Sequence, residues 1–271
     1  MSTMIPQAEA GFPRLLREWR LKRRLSQLDL ALTSGVSQRH VSFLESGRAN
    51  PSRNMILQLS ETLEVPLRDR NAWLTAAGFA PLFRTRALED PQMGQVLSAV
   101  RMMLTAHEPF PALALDRAWN VRMSNKSFDQ MGAMLGDDIW ARIGGEQRNL
   151  MRLFFHPLGI RPFVTNWSAV GPLMWSRAQR EAETLGGLEM QAVLNDLAPL
   201  QPDTILWSAA DTALLPVMPF EMQVGDLKMS MFAIVATFGT AQDVTADELR
   251  IETLFPADPE TEALFRNAAR R

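Results

Sequence analysis

Short helical segments with clear start and stop signals fill the amino-terminal part of this 271-residue chain. Ser26 and Ser37 each precede a short stretch with apolar residues at helical spacing, and Gly35 and Gly47 follow those stretches. A serine hydroxyl caps the free N–H groups at a helix start, and glycine readily adopts the left-handed conformation that ends a helix. The pattern therefore predicts two short helices joined by a tight turn at Gly35 to Ser37.

Three further helices are predicted around this pair. The first carries an apolar stripe of Leu15, Leu16 and Trp19, extended by Leu21, in the stretch FPRLLREWRLKRR that begins at Phe12. In chain order, the pair joined at Gly35 to Ser37 forms the second and third helices. The second is expected to turn Leu28, Leu30 and Ala31 inward, and the third is expected to turn Val41 and Leu44 inward. A fourth follows Pro51-Ser52, and a fifth runs from about Arg68 to Ala77. Five short helices of this kind are typical of a helix-turn-helix domain.

The stretch LSQLDLALTSGVSQRHVSFLESGRANPS resembles the XRE family of phage-repressor-type regulators. The likeness covers the leucine and Gln27 that open the second helix, the Gly-Val-Ser turn, buried Val41 and Leu44, and a Glu-x-Gly-x-x-x-Pro exit. The resemblance implies a lambda-repressor-like, all-α domain over residues 11–79 that binds double-stranded DNA.

In such a domain the third helix enters the major groove, with its first residues at the base edges. Gln38 can pair with adenine and Arg39 with guanine, and Ser42 and Phe43 can contact neighbouring bases. Gln27 and Arg48 are better placed for phosphates, and His40 is either a groove contact or an exposed bystander. The full predicted DNA-binding set is Gln27, Ser37, Gln38, Arg39, His40, Ser42, Phe43 and Arg48.

Arg20 and Glu45 occupy positions that commonly form a partly buried ion pair in the XRE family, tying the first helix to the third. The resemblance implies the same structural pair here. The alternative is two solvated charges. If the pair is buried, loss of Glu45 strands the arginine and is expected to cost on the order of 3 kcal/mol.

Charge is distributed unevenly along the chain. Residues 1–86 carry 13 Lys or Arg against 7 Asp or Glu, and residues 87–271 carry 15 against 23, so a net +6 precedes a net −8. A basic head on an acidic body indicates that only the head meets a polyanion, although a chance drift in surface charge would give the same numbers.

The rest of the chain changes character after an irregular linker at residues 80–92. Gln95 to Leu104 predicts an amphipathic helix, which either helps to pair two subunits or packs as an ordinary helix. Alternation through Leu113 and Met123, with a turn at Asp116-Arg117, predicts a hairpin whose second strand includes Trp119. Helices at about 128–135, 168–185 and 188–198, a hairpin turn at Gly225-Asp226 and a strand through Leu249 to Phe255 follow. This order predicts an α+β domain with a central antiparallel sheet.

Four longer phrases extend the resemblance. RDRNAWLTAAGFAP, PALALDRAWNVRMSN, NLMRLFFHPLGIRPFVTNW and FGTAQDVTADELRIETLFPADPET are similar to the MmyB-like transcription regulators, over about residues 11–268. In that family an XRE head precedes a PAS-like ligand-binding domain, here residues 93–268, thought to accept a fatty acid or similar small apolar molecule. We also expect a homodimer, which would place two recognition helices about 34 Å apart on a palindromic operator.

A carboxylate-bearing ligand would need a cation or hydroxyl near an apolar cavity. Met and aromatic residues suit such a cavity, and they suit an ordinary core equally well. The predicted ligand-binding set is Trp119, Arg152, Phe155, His156, Arg161, Trp167, Phe220 and Phe238. The alternative is that this domain serves only oligomerisation or protein interaction.

Several classes of chemistry are unsupported by the sequence. The chain has no cysteine, which excludes disulfides, zinc-thiolate sites and cysteine nucleophiles. Its three histidines are far apart, and no HExxH, phosphate-binding glycine loop or G-x-S-x-G motif occurs. No serine and lysine are spaced as in self-cleaving repressors. We therefore expect no enzyme activity and no metal, and, with no signal peptide or membrane span, a cytoplasmic protein.

Overall fold

The computed structural model describes residues 11–145, 147–185, 188–201 and 216–270. The chain divides into two compact units. It passes from the first unit to the second between Ala87 and Leu88, returns to the first over Thr240–Asp247, and rejoins the second at Glu248. The sequence-based boundaries at residues 79 and 93 did not anticipate this late return.

Over residues 11–87 the first unit contains five helices, as the residue pattern predicts. They are α1 (Phe12–Lys22), α2 (Gln27–Ser34), α3 (Gln38–Glu45), α4 (Arg53–Thr62) and α5 (Leu67–Ala76). The Ser26 hydroxyl accepts a hydrogen bond from the Asp29 N–H and the Asp29 carboxylate accepts one from the Ser26 N–H, which forms a capping box at α2. Gly35 ends α2 with a φ of 68°. Local chemistry thus sets the length of α2, and the N-cap of α3, Ser37, follows Gly35 by two residues.

One apolar core holds these helices together. It draws fully buried side chains from each helix and from the turns, including Leu16, Leu30, Val41, Leu44, Ile56, Leu59, Leu63, Trp73 and Leu74. Leu28 departs from the prediction, because 48% of it is exposed. It precedes Leu30 and Ala31, which face the core, and a short helix turns only one face inward.

The segment Thr240–Asp247 packs within the first unit. The Val244 N–H donates to the Arg84 carbonyl at 2.8 Å, and Arg86 Nη1 lies 2.7 Å from Asp243 Oδ2. The Leu67 N–H, at the first turn of α5, donates to Asp247 Oδ2 at 3.2 Å. A carboxylate from far along the chain thereby caps α5, whose own N-cap residue, Pro66, offers no side-chain hydrogen bond.

The second unit is built on a five-stranded antiparallel sheet of order β2-β1-β5-β4-β3. Its strands are β1 (Ala112–Leu115), β2 (Val121–Ser124), β3 (Phe220–Val224), β4 (Leu227–Thr237) and β5 (Arg250–Pro256). Val224 pairs with Leu227, so the predicted two-residue turn joins β3 to β4, and Gly225 has the positive φ that this turn requires.

Helices cover both faces of this sheet. The described α-helices of the second unit are α6 (Gly94–Ala106), α7 (Lys126–Ala133), α8 (Ile139–Arg142), α9 (Leu150–Phe155), α10 (Trp167–Leu185), α11 (Leu188–Leu197) and α13 (Pro259–Ala268). Helix α12 (Val244–Glu248) begins in the segment that belongs to the first unit and ends at the first residue of the return to the second. On one face, Val100 and Leu104 of α6 pack against Ala112, Ala114 and Ile251. On the other, Leu113, Met231 and Leu254 join the larger core with α7 to α11.

The predicted first hairpin was wrong about Trp119, which it placed in the second strand. Trp119 lies before β2 and not within it, in the connection from β1, with a φ of 62°. Its ring is fully buried, and Nε1 donates to Glu181 Oε2 at 2.7 Å. A left-handed backbone is unfavourable for a bulky residue, so tertiary packing overrides the local alternation here.

Candidate nucleic-acid interface and ligand cavity

Helix α3 is anchored by one face and exposed along the other. Val41 and Leu44 are fully buried in the core of the first unit. Ser37 caps the helix by accepting a hydrogen bond from the His40 N–H at 3.2 Å. Gln38 and Arg39, in its first turn, are exposed. The amino-terminal turn of α3 therefore presents polar side chains on a fixed support.

Arg39 is held in position by an aromatic neighbour. Its guanidinium carbon lies 5.2 Å from the centre of the Phe43 ring, one helical turn later. A cation over an aromatic face is favoured electrostatically. The contact restrains a long, exposed side chain.

Arg20, Gln27 and Glu45 form a network behind α3. Arg20 Nε donates to Glu45 Oε1 at 2.6 Å and Nη2 donates to Oε2 at 2.9 Å, a bidentate pair whose side chains are only 9% and 4% exposed. Gln27 Nε2 donates to Glu45 Oε2 at 2.8 Å. The side chain of Gln27, expected from the sequence to reach a phosphate, is thus engaged within the protein.

Glu45 is ionised in this setting. Burial by itself would raise the pKa of Glu45, but hydrogen bonds from Arg20 and Gln27, together with the positive charge of Arg20, hold that pKa below its usual range. The hydrogen bond to Glu45 in turn raises the pKa of Arg20. The pair stays charged near neutral pH and fixes α1 to α3.

The remaining predicted DNA contacts lie on and beside α3. Ser37 and Arg48 are exposed, whereas His40, Ser42 and Phe43 are half-buried. Together with Gln38 and Arg39 they lie within residues 37–48, a segment that begins at the N-cap of α3. A polar, partly basic helix start on an apolar anchor is the arrangement that enters a DNA groove.

The second unit contains a cavity of about 370 Å³ between the sheet and its helices. Its lining is mainly apolar and comes from β1, α7 to α10, β3, β4 and β5. Members include Leu113, Phe128, Met131, Trp140, Phe154, Val170, Met174, Phe220, Met231 and Leu254. This volume falls in the range of small-molecule sites, roughly 300–1,000 Å³.

Two described arginines line the cavity, and both have carboxylate partners. Arg148 Nη2 donates to Asp129 Oδ1 at 2.8 Å. Arg177 donates through Nε to Glu181 Oε1 at 2.8 Å and is also paired with Glu252. Burial by itself would lower the pKa of Arg177, but the two carboxylates outweigh burial and raise it.

Glu181 lies at the centre of a buried network that starts at the cavity. It accepts hydrogen bonds from Trp119, Arg177 and Arg250. Burial would raise the pKa of Glu181, but the charges of Arg250 and Arg177 hold it below its usual range. Arg250 Nη2 also reaches the backbone carbonyls of the β1–β2 connection. Cavity-lining Arg177 is thus linked to the first residue of β5.

The cavity lining differs from the set proposed from the sequence, of which only Phe220 is a member. Trp119 and Phe155 are fully buried in the core, and Trp167 packs against Phe155. Phe238 lies with Val100 and Leu104 on the opposite face of the sheet.

Arg152, His156 and Arg161 of that set also have partners elsewhere. Arg152 pairs with Asp196, and Arg161 lies 4.9 Å from the centre of the Trp167 ring. His156 Nδ1 accepts a hydrogen bond from the Leu158 N–H. Arg152 thereby pairs α9 with α11, and Arg161 contacts the first residue of α10.

Sequence reasoning missed Arg148 and Arg177, although Arg177 left a signal. Val170, Met174, Ala178 and Glu181 recur at helical spacing along α10, and Arg177 lies within that stripe. Charged residues in an otherwise inward-facing stripe indicate a buried ion pair or a polar site. Arg148, in the loop before α9, has no periodic context that would distinguish it.

Neither a membrane-spanning helix nor a metal-binding group is found among the described residues. Within the described ranges, no helix combines the length and apolar composition needed to span a membrane. Nor do the described histidine, aspartate and glutamate side chains form a group of three that could hold a metal ion.

Comparisons with known proteins agree with the division into two units. Residues 96–268 match the family model described as the MmyB-like transcription regulator ligand binding domain, and residues 16–69 match a model described as helix-turn-helix. A search of curated proteins found no match. A solved structure of an RNA-binding light-oxygen-voltage receptor aligns with 93% of this chain and 60% of its own, at 11% identity and a TM-score of 0.26.

Proposed function

We propose that this chain, which belongs to the MmyB-like transcription regulators, reads a specific operator with α3. A small apolar molecule in the cavity then adjusts the affinity of the protein for that operator. The observation that carries the DNA-binding part is the placement of Gln38 and Arg39, exposed on a helix whose Val41 and Leu44 are fully buried.

Arg39 and Gln38 supply base readout in this proposal. A guanidinium pairs bidentately with guanine and a glutamine amide with adenine, and each such pair discriminates by roughly 1–3 kcal/mol. Ser37, Ser42, Phe43 and, less centrally, His40 border the same groove. Arg48 contacts phosphate, and Gln27 supports the interface through its helix-start N–H and its bond to Glu45.

The protein is proposed to act as a homodimer on a palindromic operator, with two α3 helices about 34 Å apart. Exposed apolar side chains support this: Met102 and Met103 on α6, and Ile234 on the sheet face that α6 covers. With double-stranded DNA as its target, the protein is proposed to work in the cytoplasm. It is also proposed to have no catalytic role.

The ligand is proposed to be a fatty acid or a similar small apolar molecule in a PAS-like domain. The apolar lining, the volume of about 370 Å³ and the five-stranded antiparallel sheet support this assignment. Organic extraction of the purified protein followed by mass spectrometry tests it. A near-stoichiometric lipid is expected. An empty protein whose melting temperature no long-chain acid shifts would favour a second unit used only for oligomerisation.

A ligand can control DNA binding only if its affinity differs between two states of the protein. The segment Thr240–Asp247 offers a mechanism, because it connects β4 to β5 yet packs within the DNA-binding unit. The Glu181 network joins cavity-lining Arg177 to Arg250, three residues after that segment ends. A ligand that shifts Arg177 would thereby bias the position of the segment.

The DNA-reading role is tested with Arg39→Ala and, as the matched control, Arg48→Ala. On an operator and its single-base variants, Arg39→Ala should lose about 1–3 kcal/mol of preference at one base position. Arg48→Ala should weaken all sequences equally and reduce the salt-dependence slope by about 0.9. Equal weakening on every sequence by Arg39→Ala would make Arg39 a phosphate contact.

A further inference from the structure

The polar side chains of the cavity are not equivalent toward a ligand. Arg177 already has two carboxylate partners. It donates to Glu181 at 2.8 Å and pairs with Glu252, whose side chain is only 4% exposed. An additional anion beside Arg177 would have to displace a buried carboxylate and leave that carboxylate without a partner, which is strongly unfavourable. The apolar region around Arg177 therefore favours an uncharged part of a ligand.

Arg148 is in a different state. Its Nη2 bonds to Asp129 and its guanidinium lies 4.7 Å from the centre of the Trp140 ring, so the group is held in place. Its Nε is buried and has no hydrogen-bond partner. Among the described residues that line the cavity, it is the one buried side-chain polar atom in that condition. A buried N–H without an acceptor is costly, and a ligand oxygen would remove that cost.

The partner of Arg148 is also easier to replace than the partners of Arg177. The Asp129 side chain is 52% exposed, so it can return to water when another anion takes its place. Exposed ion pairs contribute little free energy, which makes such an exchange inexpensive. The unsatisfied group is a cationic donor, so the complementary ligand group is an anionic acceptor.

We propose that Arg148 anchors the carboxylate of the cavity's ligand, with Asp129 as a competing internal anion and the apolar chain extending toward Arg177. The proposal rests on the ligand-binding function above, and adds to it the orientation of the ligand and the residue that selects its charge.

The test compares three probes that share one chain and differ in head group: dodecanoic acid, dodecanol and dodecylamine. Their binding to the full chain, stripped by organic extraction and refolded, is measured by calorimetry. Wild type is expected to prefer the acid. Arg148→Met should weaken the acid by about tenfold or more, the loss of one charged hydrogen-bonded contact, and leave the alcohol unchanged. Arg122→Met, an exposed arginine outside the lining, is the matched control and should change neither.

Asp129→Asn gives an opposite, gain-of-affinity prediction. Without the competing carboxylate, the acid should bind several-fold more tightly than to wild type, and the alcohol equally. The gain should vanish in the double variant with Arg148→Met. The expected gain in the single variant Asp129→Asn can be measured even if Arg148→Met folds poorly.

The outcomes separate the two proposals. Acid affinity that Arg148→Met and Asp129→Asn both leave unchanged would overturn the anchor while ligand binding stands. Tightest binding of dodecylamine would reverse the proposed charge. If none of the three probes binds wild type that has refolded with an unaltered circular dichroism spectrum, the proposed ligand response itself fails, and the anchor with it.

Discussion

Glu45 is the residue on which the position of α3 most depends. Its carboxylate accepts hydrogen bonds from both Arg20 and Gln27, so three elements meet at one buried charge. A buried charge whose partner is removed is left without solvation and without compensation. The consequence for stability should be far larger than for the exposed ion pairs of the same unit.

Glu45→Ala is expected to lower the free energy of unfolding by on the order of 3 kcal/mol, because it strands the Arg20 guanidinium. Glu18→Ala removes an exposed i,i+4 pair with Arg14 and should cost only about 0.3–0.5 kcal/mol. Urea unfolding of both variants makes the comparison. Equal, small effects would mean that the Arg20–Glu45 pair contributes no more than a surface pair.

The same carboxylate predicts a pH dependence. The pKa of Glu45 is lower in the folded protein than its ordinary value near 4.5, so the pair stabilises the fold fully above that pH. The contribution is lost as the pH falls from there through the folded-state pKa. The stability difference between wild type and Glu45→Gln should therefore shrink with acidification below about pH 4.5. A difference that stays constant or grows on acidification would contradict this sign.

Residues on α3 were predictable because helical spacing decides which of its side chains are buried. Val41 and Leu44 fill the inward positions, which leaves Gln38 and Arg39 outside. Arg148 was not predictable, since its proposed role follows from two partners, Asp129 and Trp140, that tertiary structure brings to it. The sequence instead favoured Arg152 and Arg161, which lie close by along the chain and have partners of their own.

Helix α5 shows how one element can depend on a distant part of the chain. Its first N–H group, at Leu67, is capped by Asp247 from the β4–β5 connection. A carboxylate at a helix start satisfies a free donor and also interacts favourably with the helix dipole. The stability of α5 is therefore tied to a segment that follows β4.

Asp247→Ala should lower the stability of the first unit by about 1 kcal/mol, because α5 loses its cap. Hydrogen exchange measured by mass spectrometry should show faster exchange in peptides of α5, with little change in α3. Gln242→Ala changes an exposed residue of the same segment and serves as the control. Unchanged exchange in α5 would show that the Asp247 bond does not hold this helix.

Element boundaries followed the sequence where local chemistry decides them. Serine caps, Gly35 and the Gly225-Asp226 turn placed helices and a hairpin within a residue or so of their observed ends. The β1–β2 connection did not, because buried Trp119 adopts a left-handed backbone for its contact with Glu181. The docking of Thr240–Asp247 had no local signal, since the Arg86–Asp243 pair joins residues 157 positions apart.

Across the whole molecule, positive charge is concentrated in the unit proposed to bind DNA and negative charge in the unit that contains the cavity. The net +6 of residues 1–86 lies in the unit that presents α3, and the net −8 of residues 87–271 lies mostly in the unit that contains the cavity. A basic surface speeds association with DNA and makes it sensitive to salt.

In the proposed function, the exposed start of α3 recognises a particular DNA sequence. Unbiased selection of DNA fragments by purified wild type and by the Gln38→Ala, Arg39→Ala double variant tests it most directly. Wild type should enrich one motif with two-fold symmetry, and the double variant, still folded by circular dichroism, should lose that motif while retaining salt-sensitive binding to any sequence. Enrichment of the same motif by both proteins would mean that Gln38 and Arg39 do not determine the recognised sequence.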